Sequence, residues 1–247
     1  MNKNIFWINV GFILTFFLSC QPNQKDLVVF AAASLTDVLN EAKTEYELKY
    51  SEKIRYHFGG SQALAVELSK GSPGDVFISA GKPPMDYLSG KASAKVEGIT
   101  NITSNSLVLV TKDQNLELID HSSLIGLDTL AIADPNLAPA GVYAEDFLVN
   151  TGLWPLLEDK LILSGDVRAA LNYVKSGNVD AAIVYLTDGL AEPDLQIKDI
   201  IPPDSYPTIS YPAAVVSDGI NILKARKFVD FLRSSEVNQI FYSYGFR

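Results

Sequence analysis

From Leu27 onward, apolar runs of strand length alternate with segments of helical period, and no other feature of the chain constrains its fold as strongly. "LVVFAAA" reads as a first strand. Leu35, Val38, Leu39, Ala42 and Tyr46 then follow at helical spacing and mark one face of an amphipathic helix. "IRYHF" reads as a second strand, with Leu64, Ala65 and Leu68 marking the helix after it. Gly71, Pro73 and Gly74 stop that helix before a third strand, "DVFISA". Such an order places strands side by side in mainly parallel sheets with helices on their faces.

The pattern repeats in a second block. "SLVLVT" at 106–111, "TLAIAD" at 129–134, "LILS" at 161–164 and "AAIVYL" at 181–186 are predicted strands, with helices near 141–150 and 167–176. A last run, "YPAAVV" at 211–216, precedes two helices near 221–234 and 235–244. No repeat of solenoid period and no low-complexity linker separates the blocks, so short crossings must join them. "SNSLVLV" and "ISYPAAVV" are the candidate crossings. The expectation is an α/β chain of two lobes, each a mainly parallel sheet flanked by helices, hinged by two strands with a cleft between. Lobe I takes 27–105 plus 214–247, and lobe II takes 106–213.

With 247 residues, 47% of them apolar and 20% charged, the chain can bury a sizeable core. Its net charge of −9 and the lack of any dense Lys/Arg cluster argue against a nucleic-acid partner, whose phosphates it could not neutralise. At the N-terminus, Lys3 precedes an apolar run from Ile5 to Leu18, shorter than the ~20 residues a membrane span needs. Residues 1–20 therefore read as a signal peptide, closed by the chain's single cysteine, Cys20, with 21–26 a polar tether. The run resembles a bacterial lipobox, although Phe17 stands where Leu, Val or Ile is usual. That resemblance implies lipidation of Cys20 and an exported, lipid-anchored protein of the periplasm or cell surface. A lone cysteine can form neither an internal disulfide nor a thiolate metal site.

Five joints place a small residue, a serine or a free backbone N–H where a strand ends: "AAASLTD", "FGGSQAL", "LAPAGVY", "SGDVRAA" and "IVYLTDG". Helix N-termini at the carboxyl ends of strands offer unpaired N–H groups and partial positive charge, which suits an anion. Each joint also has a structural explanation. Ser34-Leu-Thr-Asp37 resembles a capping box, Asp166 fits an N-cap, and Tyr185 could be a core aromatic. Gly59 and Gly60 before Ser61 allow unusual backbone angles and close approach by a ligand. Arg168 is the cation beside these joints and reads as a solvent-facing or structurally paired helix residue.

Taken in order, "VVFAAASLTDVLNE", "FGGSQALAVEL", "GDVFISA", "IADPNLAPAGVYA", "DVRAALNYVKSGNVDAAIVYLTD" and "FVDFLRSSEVNQIFYSYGF" resemble the periplasmic molybdate-binding proteins of bacterial ABC importers, the ModA type. The resemblance runs from Leu27 to Phe246 and implies a two-lobed periplasmic-binding-protein-like fold. It further implies that molybdate, and with it tungstate, is held by Ser34, Ser61, the backbone N–H groups of Ala140 and Val167, and the hydroxyl of Tyr185. Molybdenum would be bound only as the oxyanion, with no direct protein–metal ligand and no cofactor. An ABC permease and its ATPase are the implied partners, and a monomer the implied state. The chain has no P-loop of its own. Two places depart from the family. Gln62 stands where a second glycine is frequent, and the segment at 87–98 is short.

Two other functions fit parts of the pattern. The same fold could bind another oxyanion such as sulfate, or serve a sensory receptor. Ser61 could be a hydrolase nucleophile, but Gly59–Ala63 misses the Gly-x-Ser-x-Gly elbow by one residue. A base would also have to be His57 or His121, neither of which lies at a joint.

Overall fold

The apolar run Leu27–Ala32 forms strand β1, whose residues are nearly all buried, as expected of a strand covered on both faces. The computed structural model describes residues 26–94, 96–117, 120–216 and 221–247, so the signal peptide and Cys20 lie outside the described residues. After β1 come a 3-10 turn, Ala33–Leu35, and helix α1, Thr36–Tyr50; β2, Ile54–Gly59; and α2, Ser61–Ser69. Then follow β3, Val76–Ile78; α3, Lys82–Ser89; and β4, Val96–Ser104.

The chain next builds a second sheet. Its elements are β5, Leu107–Thr111; β6, Leu130–Ala133; α4, Pro139–Asn150; α5, Trp154–Leu157; β7, Leu161–Ser164; α6, Val167–Lys175; β8, Ala181–Tyr185; α7, Leu186–Leu190; and β9, Gln196–Ile200. Strand β10, Ser210–Val216, then returns to the first sheet, and helices α8, Ile222–Leu232, and α9, Ser235–Ser243, close the chain. The strand orders are β2-β1-β3-β10-β4 and β7-β6-β8-β5-β9.

Two lobes therefore form, and the C-terminal helices belong to the first. Tyr46 of α1 packs edge-on against Phe228 and Phe231 of α8, with ring centroids 5.1 and 5.2 Å apart. Its hydroxyl donates to Glu52, which also pairs with Lys227. Burying three such rings supplies several kcal/mol at ~25 cal/mol per Å² of apolar surface, enough to seat a helix pair remote in sequence.

Both sheets are mixed rather than mainly parallel. In the first, β1 pairs parallel with β2 and β3, whereas β10 runs antiparallel to β3 and β4. In the second, β6 pairs parallel with β7 and β8, whereas β5 runs antiparallel to β8 and β9. The antiparallel strands β5 and β10 are those that enter a lobe from the other one. Their direction is set by the crossing and not by a βαβ connection. Strand β10 is paired from Ser210 onward, so the return crossing is the segment 201–209, ahead of the expected boundary at 214.

The alternation pattern also misses β4 and β9. Each is one of the two edge strands of its sheet, and "VEGITNITS" and "QIKDI" carry too many solvent-facing polar residues to read as apolar runs. The segment at 87–98 takes in the end of α3, the connection after it and the beginning of β4. Among the described residues, no helix is long and apolar enough to cross a membrane.

Candidate functional site

Strands β1, β2, β6, β7 and β8 all end toward the seam between the lobes, and the five predicted residues follow those ends. Ser34 lies in the 3-10 turn after β1, and Ser61 is the first residue of α2 after β2. Ala140 and Val167 are in the first turns of α4 and α6, and Tyr185 closes β8. All five line one small cavity between the lobes. Ser34, Ser61 and Tyr185 are 2%, 0% and 1% exposed, so water hardly competes for their hydroxyls.

The hydrogen bonds around these hydroxyls decide what they can offer. Asn105 Nδ2 donates to Tyr211 Oη at 3.2 Å, and Tyr211 Oη lies 3.0 Å from Ser34 Oγ. Either hydroxyl can donate in the Ser34–Tyr211 pair; when Tyr211 does, the Ser34 proton is left for the cavity. Ser61 Oγ accepts from the Ala80 N–H at 3.1 Å, so its proton is likewise left over. Tyr185 Oη reaches only the Ala80 carbonyl, at a loose 3.5 Å. Burial, reinforced by Tyr211 and other neighbours, holds the Tyr185 hydroxyl well above its ordinary pKa, so it stays protonated. Tyr211 is pushed up in the same way, again chiefly by burial.

Backbone donors complete the set. Pro139 occupies the first position of α4, where a missing N–H costs nothing, and Ala140 follows it. First-turn N–H groups have no carbonyl partner within their own helix, so those of Ala140 and Val167 are free of the helical ladder. The cavity wall thus presents three hydroxyls and two helix-start N–H groups, with no formal charge among them.

The structural explanations divide. Ser34 does not cap its helix: it sits inside the 3-10 turn with its hydroxyl toward Tyr211, while Thr36 Oγ1 donates to the Ala33 carbonyl. Asp166 does cap, its Oδ1 accepting from the N–H groups of Arg168 and Ala169. Although Asp166 lines the cavity, that oxygen is committed to the helix. Arg168 is not solvent-facing; it pairs with Asp37 and Asp188, each at 2.6 Å.

Gly60 has an ordinary extended backbone, with φ −65° and ψ 131°, so conformational freedom is not why a glycine is needed there. Space is the reason. A Cβ at Gly60 would overlap the Leu137 carbonyl oxygen and fall 2.8 Å from that of Gly165, both on the opposite lobe. Next to it, Gln62 Nε2 donates to the Pro135 carbonyl at 3.2 Å, and the Ala63 N–H donates to the Leu137 carbonyl at 3.3 Å. The residue that departs from the family pattern is therefore a contact between lobes, and its Oε1 is buried without a partner.

Neither histidine is bonded to Ser61. His57 Nε2 pairs with Glu67 at 3.0 Å and His121 Nε2 with Asp199 at 2.7 Å, each at a distance from the cavity lining. Among the described residues, no group of three or more His, Cys, Asp or Glu could hold a metal ion. Sequence reasoning missed Tyr211, Asn105 and Ala80, which orient the hydroxyls. Tyr211 and Asn105 lie in the predicted crossings, but their proximity to Ser34 arises only when both crossings meet.

Two α/β lobes that close helix N-termini and hydroxyls around a dry cavity define a solute-binding protein. The chain belongs to the family of bacterial extracellular solute-binding proteins, whose model matches residues 27–247. It is 33% identical to the Molybdate-binding protein ModA of Escherichia coli over 251 residues, covering 97% of each chain. Among solved structures, the periplasmic molybdate-binding protein of Azotobacter vinelandii shares the fold with a TM-score of 0.81 at 20% identity, covering 90% of this chain and 99% of that one. The sulfate-binding protein SubI of Mycobacterium tuberculosis shares it with a TM-score of 0.76 at 16% identity, covering 90% and 86%. The fold is therefore common to proteins that bind different oxyanions.

Proposed function

We propose that this protein captures molybdate, and tungstate with it, between its lobes and delivers it to an ABC permease whose ATPase supplies the energy. The observation that carries this reading is the convergence of three buried hydroxyls and two helix starts on one cavity. Ser61 accepts from the Ala80 N–H and keeps its proton for a ligand, Ser34 shares one hydrogen bond with Tyr211, and Tyr185 is kept protonated. Such a wall is rich in donors. It suits a fully deprotonated tetrahedral dianion, whereas phosphate keeps a proton near neutral pH and calls for an acceptor.

The nearest carboxylates are engaged elsewhere: Asp166 by its helix, and Asp37 and Asp188 by Arg168. Similarity to molybdate-binding relatives favours molybdate over sulfate, which the same donors could also hold. The lobes, 26–104 with 210–247 and 107–200, turn about the crossings at 105–106 and 201–209. Export with lipidation at Cys20 would keep this receptor, a monomer, at the membrane beside its permease. An unmodified residue other than Cys20 at the mature N-terminus, by mass spectrometry, would contradict that anchor.

Calorimetry of residues 26–247, which contain the whole family match, tests the ligand. Molybdate and tungstate should bind tightly, sulfate more weakly and phosphate not at all. Tight sulfate binding without a molybdate response would overturn the reading. Ser61→Ala and Tyr185→Phe should each cost about tenfold in molybdate affinity, since each removes one donor to a charged group.

A further inference from the structure

Arg168 follows Val167 at the start of α6, and its side chain spans the seam between the lobes. Its Nη2 lies 2.6 Å from Asp37 Oδ2 of lobe I, and its Nε lies 2.6 Å from Asp188 Oδ1 of lobe II. The contact with Asp37 is a directed hydrogen bond, whereas that with Asp188 is a close charge contact without hydrogen-bond direction. The Asp188 side chain is 0% exposed, that of Arg168 21% and that of Asp37 40%.

These exposures assign different tasks to the two carboxylates. Asp188 belongs to the same lobe as Arg168 and is fully buried against its Nε, so it keeps the guanidinium in lobe II whether lobe I is near or not. The planar fork then presents Nη2 to whatever comes across the seam. Burial works to lower the Arg168 pKa, but Asp188 and Asp37 outweigh it and hold the group above its usual value, so the cation is permanent.

The positions in sequence tie this pair to the anion. Asp37 is in the first turn of α1, three residues after Ser34, and Arg168 is the neighbour of Val167. One closing movement therefore brings Ser34 and Val167 to the anion and Asp37 to Arg168. We propose that Asp37 and Arg168 form an ionic latch that holds the lobes closed over the bound anion, with Arg168 a positioning residue and not a ligand. The proposal rests on the oxyanion-binding reading above. It also accounts for an arginine beside a site made of neutral donors, because two carboxylates occupy its charge and leave selection to the hydroxyl and N–H groups.

The test uses residues 26–247, which contain no cysteine, labelled with a dye pair at Leu48→Cys in α1 and Leu156→Cys in α5, both exposed. Single-molecule energy transfer reads the closed fraction, and stopped-flow reads molybdate association and release. Asp37→Asn should raise the release rate about 3- to 10-fold, as expected for a part-exposed charge-assisted bond, and lower the closed fraction. The association rate and ligand-free melting temperature should hardly change. Asp37→Glu should recover part of the loss, and 1 M NaCl should narrow the gap between wild type and Asp37→Asn.

Equal release rates and closed fractions in wild type and Asp37→Asn would overturn the latch. So would a lower ligand-free melting temperature accompanied by slower association, which marks a merely structural pair. If wild type binds neither molybdate nor sulfate, the proposed function fails by itself. The latch is then judged from the ligand-free closed fraction, which Asp37→Asn must still lower.

Discussion

Ser34 Oγ lies 3.0 Å from Tyr211 Oη, joining a residue of the cavity to strand β10, on which the chain re-enters the first lobe. Tyr211 in turn accepts from Asn105 Nδ2, and Asn105 also donates to Thr187 Oγ1 at 2.9 Å on the second lobe. The first crossing and both lobes thus meet in one buried network, which includes the Ser34 hydroxyl.

Tyr211→Phe removes the hydroxyl bonded to Ser34 while keeping the ring and its packing against Phe246. Loss of one buried hydrogen bond is worth about 0.5–1.5 kcal/mol, so molybdate affinity should fall about 3- to 10-fold in calorimetry. Unchanged affinity would mean that Ser34 does not need the Tyr211 hydroxyl.

Gly60→Ala should be more damaging than loss of any single hydroxyl. The added methyl overlaps the Leu137 and Gly165 carbonyls only when the lobes are closed. Overpacking costs about 1–3 kcal/mol and here falls entirely on the closed form. Affinity should drop about 10- to 100-fold, with the ligand-free melting temperature within a degree or so of wild type. A large fall in that temperature would show that the glycine serves the fold and not the closure.

Gln62→Ala should change little. The Nε2 bond to the Pro135 carbonyl contributes about 1 kcal/mol on closing, but the buried, unpartnered Oε1 costs a comparable amount. The two nearly cancel, so affinity should stay within about threefold of wild type. A tenfold loss in calorimetry would show that the amide is a net clamp.

Asp188 makes stability depend on pH. Burial pushes its carboxyl from an ordinary 3.8 up to about 7, against the opposing pull of Arg168 and with small contributions from Asp37 and Asp166. An acid with a raised pKa in the folded chain binds its proton more tightly there. Its contribution to stability is therefore complete below about 4 and is lost as pH rises to about 7. The melting temperature of wild type relative to Asp188→Asn should fall between pH 5 and pH 8. A difference that grows with pH would show that Arg168 holds the carboxylate below its ordinary value.

Much of the molecule could be read from residue order. The central strands β1, β6 and β8 are buried on both faces, so their apolar runs are visible without any knowledge of neighbours. The helix starts at Ala140 and Val167 announce themselves through Pro139 and the Asp166 cap, because capping is local chemistry. Edge strands β4 and β9 were not legible, since a strand with one wet face keeps its polar residues. Nor was the mixed sheet direction, because a crossing strand's orientation depends on which lobe it enters.

Residue order alone gives away the two α/β blocks and the strand ends that carry Ser34, Ser61, Ala140, Val167 and Tyr185. Those features follow from periodicity, caps and residue type, all of which act over a few neighbours. Folding alone brings Tyr211 and Ala80 to the serine hydroxyls, leaves no room for a Cβ at Gly60, and ties Arg168 to Asp37 and Asp188. Each of those contacts joins residues far apart in the chain, and those of Gly60 and of Arg168 with Asp37 also need the two lobes to meet.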